Sequence, residues 1–158
     1  MKDVRAYLTC LPFLFLATNV FADITGTYAC QEAINMVVKA GGKSTKRRIA
    51  ETVTLNISAD GALQMTSPMS PIPLRGSWTL SGRRFQLAFN QEDVMKNTLY
   101  GCELAGVDCT YIGSTQSFQL TANPNAGTLK GVGKSQFSFI SNGLLINNSD
   151  VANISCQR

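Results

Sequence analysis

Along most of the chain apolar and polar residues alternate one by one. In the run from Thr52 to Ile57, Val53, Leu55 and Ile57 fall on one side and Thr52, Thr54 and Asn56 on the other. Leu63 with Met65, Trp78 with Leu80, Phe85 with Leu87 and Phe89, Phe118 with Leu120, and Phe137 with Phe139 repeat the pattern. A period of two belongs to strands with one buried face, because successive side chains leave a strand on opposite sides. Turn formers separate the runs: Ala59-Asp60-Gly61, Ser81-Gly82, Asn123-Pro124-Asn125-Ala126-Gly127 and Asn142-Gly143. Gly and Asn tolerate the positive φ that tight hairpins require. The stretch Pro68 to Pro73 is expected to be a connector, since its prolines remove ladder donors. A short helix is predicted near Gln91 to Lys96, with Asn90 as N-cap and Glu92 and Asp93 in the first turn.

These elements predict an all-β fold, a single antiparallel up-and-down barrel of about eight to ten strands. A β-sandwich is the alternative arrangement of the same pattern. The sequence carries no internal repeat and no linker, so one domain is expected.

The chain start changes the picture. Lys2 and Arg5 precede an apolar run from Tyr7 to Ala17, and small Val20 and Ala22 stand at the positions a signal peptidase reads. Residues 1–22 therefore read as a signal peptide and 23–158 as the mature domain. The apolar run is shorter than the ~20 residues of a membrane span, so no stable membrane insertion is expected after cleavage. A periplasmic or secreted location follows, with bacterial periplasm as the first choice. Of the five cysteines, Cys10 falls in the leader, which leaves Cys30, Cys102, Cys109 and Cys156. An even set in an exported chain implies disulfides. Three pairings are possible. The expected one joins Cys30 to Cys156, first mature segment to last, and Cys102 to Cys109, closing CELAGVDC. The spacings match no common zinc pattern.

Two short stretches resemble small bacterial lipocalin-like (calycin) barrels. Ile24 to Cys30 (ITGTYAC) is similar to their first strand, with Tyr28 where the family often carries Trp. Gly76-Ser77-Trp78-Thr79-Leu80 followed by Arg83 to Leu87 resembles their G-x-W-x-L hairpin. The resemblance implies a meander barrel and, as often in that family, a small apolar ligand; it supplies no catalysis to carry over to these residues. On that reading Trp78, Phe85, Phe118, Phe137 and Phe139 are the ligand-binding set. The same inward residues could instead fill the core, because an eight-stranded barrel is just wide enough for side chains to do so.

The segment KAGGKSTKRRIAETV poses a separate question. Gly42-Lys43-Ser44 imitates the end of a phosphate-binding loop, but Val37 replaces the first glycine and a strand pattern follows where a helix is needed. The 14 Lys and Arg against 10 Asp and Glu leave a net charge of only +4, and no aromatic residue interleaves with the cluster, so no nucleic acid is expected. What remains is a hairpin turn at Gly41-Gly42 with solvated cations. Alternatively, Lys43, Lys46, Arg47 and Arg48 contact an acidic partner.

Histidine is absent, which removes the usual triads, most catalytic zinc sites and the neutral-pH general base. No cofactor, metal or catalytic residue is expected. Glu92 and Asp93 are sequence neighbours that point in different directions, so a carboxylate-based hydrolase is a minor possibility. The expected function is a non-enzymatic, exported barrel that binds a small apolar ligand. The alternative is an inhibitor or immunity protein that binds an enzyme or toxin through its loops. The oligomeric state is not read from the sequence.

Overall fold

Eight antiparallel strands close into an up-and-down barrel in the computed structural model, which describes residues 24–158. The expected signal peptide, residues 1–22, lies outside them. The strands are β1 (Gly26–Ala40), β2 (Lys43–Ile57), β3 (Ala62–Ser67), β4 (Ser70–Ser81), β5 (Arg84–Phe89), β6 (Cys109–Asn123), β7 (Thr128–Ser141) and β8 (Leu144–Gln157). A helix, α1 (Gln91–Leu104), lies between β5 and β6. Each strand pairs with the next, and β1 also pairs with β8, so the sheet has no sandwich split.

The closing seam is pinned by sulfur. Cys30 stands directly opposite Cys156 in the β1–β8 register, and the two form a disulfide. Cys102 and Cys109 form the second, which ties the last turn of α1 to the first residue of β6. Both bonds suit an oxidising environment of the kind found outside the cytoplasm.

The hairpins follow the turn chemistry. Gly41 and Gly42 have φ of 53° and 76°, and Asn142 and Gly143 have 51° and 75°. Two successive positive φ values are those of a type I′ turn, whose twist matches the strands it joins. The segment around Gly42-Lys43-Ser44 is thus the tip of the β1–β2 hairpin.

Two expectations need correction. Pro68 to Pro73 is not wholly a connector, since Pro71 and Pro73 lie inside β4. They are tolerated because β4 pairs with β5 only from Gly76 onward, and its register with β3 shifts between Met65 and Ser67. The helix also runs well past Lys96. Asn97, Thr98 and Gly101 are weak helix formers, which hides its second half in the sequence. Packing against β4 and β6 and the Cys102 bond hold that half in place.

Strand length divides the barrel into two halves. β1, β2 and β6 have 15 residues and β7 and β8 have 14, whereas β3 and β5 have 6 each. The lower half, near Ile24, is closed and filled. Tyr28, Cys30, Val53, Leu55, Phe85, Leu120, Leu129 and Cys156 are each at most 2% exposed there. Burying each large apolar side chain contributes ~1.5–3 kcal/mol. In the upper half the long strands overhang the short ones, and α1 covers the resulting opening.

Candidate functional site

α1 is fastened over the upper half at both ends. Its start is fixed by Asn90, whose side chain accepts from the Glu92 N–H, and by Asp93, which is almost fully buried. The Asp93 carboxylate accepts from the Arg75 backbone N–H at 3.0 Å, from Nε at 2.9 Å and from Nη2 at 2.6 Å. The hydrogen bonds from Arg75 hold that carboxyl down at about 2. Asn97 Nδ2 donates to the Ile72 carbonyl, and Ser114 Oγ bonds Gln91 Oε1. The helix end is held by the Cys102–Cys109 bond.

Between α1 and the inner face of the long strands lies a cavity of about 520 Å³. Strand alternation puts Met36 and Val38 of β1, Phe137 and Phe139 of β7, and Ile146 of β8 on its wall. α1 and its exit loop supply Gly101, Cys102, Ala105 and Val107, which are small or apolar. The Phe137 and Phe139 rings stack 6.4 Å apart along β7. β2 contributes Arg47, whose side chain is exposed.

Below the cavity the interior turns polar. Gln116, Ser135 and Asp150 stand in one row across β6, β7 and β8. Ser135 Oγ and Asn148 Nδ2 each donate to Asp150 Oδ2 at 3.4 Å. Burial pushes the Asp150 carboxyl up. Asn148 lines the cavity floor, and its Oδ1 is buried without a hydrogen-bond partner among the described residues. On β1, Glu32 is buried opposite Glu51, which accepts from Ser67 Oγ at 2.7 Å. Burial first, and the Glu51 charge second, push the Glu32 carboxyl up to about 7.

The residues singled out from sequence are distributed over this frame. Phe137 and Phe139 line the cavity. Trp78 and Phe85 belong to the packed lower core, 5.4 Å apart, with the Trp78 indole N–H donating to the Ser58 carbonyl. Phe118 packs edge-on against Phe89 at the margin of that core. Lys43, Lys46, Arg47 and Arg48 are exposed on the upper part of β2. Sequence reasoning missed Met36, Val38 and Ile146. The alternation of Tyr28, Cys30, Ile34, Met36 and Val38 carries the signal, but Glu32 interrupts it. Among the described residues, no group of three or more Cys, Asp or Glu is placed to hold a metal ion.

No protein-family model matches the chain, and no curated protein matches it. Among solved structures, it is similar to the ywiB protein from Bacillus subtilis, at 8% identity and a TM-score of 0.32, over 85% of this chain and 97% of that one. A likeness that distant carries no argument about function.

Proposed function

We propose that this chain is an exported, non-enzymatic binding barrel of lipocalin-like type, and that the cavity beneath α1 takes a small apolar molecule. The single observation behind this reading is the upper cavity of about 520 Å³, walled by Phe137, Phe139, Met36, Val38 and Ile146. Ligand pockets are commonly ~300–1,000 Å³ and mostly apolar, with a few polar groups. A stabilising role alone would favour filling such a space, because apolar wall left in water forgoes ~25 cal/mol per Å² of burial. The lower half of the same barrel is filled, so the contrast between the halves supports a binding role for the upper one. The two disulfides and the leader reading support a periplasmic or secreted setting.

Titration with a fluorescent apolar dye tests the reading. The mature protein should bind one equivalent, and Ile146→Glu, which puts a charge on the apolar wall, should weaken binding at least tenfold while the fold persists. Equal binding by the variant would refute the assignment.

A further inference from the structure

β2 carries an open edge. It pairs with β1 along its whole length, from Lys43 to Ile57, but with β3 only from Thr54 to Ile57. Among the described residues, no strand pairs with the other side of Lys43 to Val53. The Ser58 N–H bonds the Ala62 carbonyl toward β3, so the even-numbered residues of β2 direct their backbone groups to that side. Ser44, Lys46, Arg48, Ala50 and Thr52 therefore present a row of N–H and C=O groups that no other strand takes up among the described residues. The nine residues from Lys43 to Glu51 would span ~30 Å of added strand.

Three further features meet at this edge. The cavity reaches β2 through Arg47, which is exposed, so it opens toward the edge. α1, rather than a strand, bounds the opening opposite. The charged side chains along this stretch are Lys43, Lys46, Arg47 and Arg48, with no carboxylate until Glu51.

We infer that the upper edge of β2 is a strand-addition site for an extended acidic segment of another protein, which places an apolar side chain into the cavity beneath α1. This goes beyond the proposed function and rests on its apolar cavity, which here receives a protein side chain in place of a free small molecule. Main-chain bonds to the edge groups give affinity, and the cavity accepts alternate side chains. The cations select acidic partners and speed the encounter. They also repel a second copy of this chain, whose own edge is basic. Lysines on an edge strand do blunt self-association, and the same charges then select against the chain itself rather than against an acidic strand.

The probe is a fluorescein-labelled nine-residue peptide alternating glutamate and valine, titrated into the disulfide-bonded protein by fluorescence anisotropy. Saturable, salt-sensitive binding is expected. N-methylating the peptide amides that face β2 should weaken it at least tenfold. Lys46→Glu with Arg48→Glu should do the same. Ala50→Pro should weaken it as well, and this variant leaves the β1 ladder intact because the Ala50 N–H points to the free edge. Binding unaffected by N-methylation would overturn the inference, and so would concentration-dependent dimerisation through this edge. If the apolar dye binds and the peptide does not, the cavity reading stands and this one fails. If neither binds, both fail.

Discussion

Replacing Glu32 by glutamine should stabilise the protein in a pH-dependent way. Glu32 is 8% exposed and faces Glu51 across the β1–β2 ladder. Its carboxyl is pushed from 4.5 up to about 7, by burial first and by Glu51 second. In the unfolded chain the group ionises as pH rises past 4.5, whereas in the barrel it holds its proton until about 7. The fold therefore bears no penalty from it below about pH 4.5, a growing one from there to 7, and the full one above. The gap between 4.5 and about 7, at ~1.36 kcal/mol per pH unit, comes to about 3 kcal/mol. Glutamine keeps the shape and cannot ionise. Urea unfolding followed through Trp78, the single tryptophan, reads the difference. With a slope of ~1.5 kcal/mol per M, Glu32→Gln should raise the midpoint by ~2 M at pH 8. At pH 4 the two proteins should unfold together. An equal difference at both pH values, or destabilisation at pH 8, would refute the reasoning.

Other outcomes follow from the same structure. Removing the seam with Cys30→Ala and Cys156→Ala opens a loop of 126 residues and should cost about 5 kcal/mol in the chain-entropy model, measured by denaturant unfolding. Asp93→Ala should cost ~2–3 kcal/mol at pH 7, because it removes the buried carboxylate that accepts from the Arg75 backbone N–H and guanidinium. Since the Asp93 carboxyl is held down at about 2, its contribution is present above about pH 4 and fades as pH falls toward 2, so the wild-type and variant curves should converge there. Gly76→Ala should destabilise by ~1–3 kcal/mol in a thermal melt, because a Cβ at that position would intrude on the Ala88 carbonyl oxygen.

The barrel was legible because alternation and turn residues are local signals. Val53-Leu55-Ile57 and Phe85-Leu87-Phe89 declare their buried faces, and Gly41-Gly42 and Asn142-Gly143 declare their turns. The pairing of Cys30 with Cys156 is the bond expected where a meander of this length closes. The hollow upper half was not legible, because it depends on unequal strand lengths. Pro68 and Asn90 mark where ALQMTS and RFQLAF stop, but nothing in the sequence says that β1, β2, β6, β7 and β8 run on to 14 or 15 residues above them. Pro71 and Pro73 are the nearest hint, since they keep the leading part of β4 out of regular pairing and leave α1 to cover the gap. Trp78 and Phe118 look from sequence like Phe137 and Phe139. Only the register places the first pair in or beside the packed end and the second against the cavity.

The most direct test is to map amide shifts in a ¹H–¹⁵N spectrum while an apolar dye is titrated into the mature, disulfide-bonded protein. Perturbations should concentrate at Met36, Val38, Phe137, Phe139, Ile146 and the Gly101 to Val107 stretch, with Leu55, Phe85 and Leu129 unmoved. Shifts centred on the lower core, or none at saturating dye, would contradict a binding cavity beneath α1.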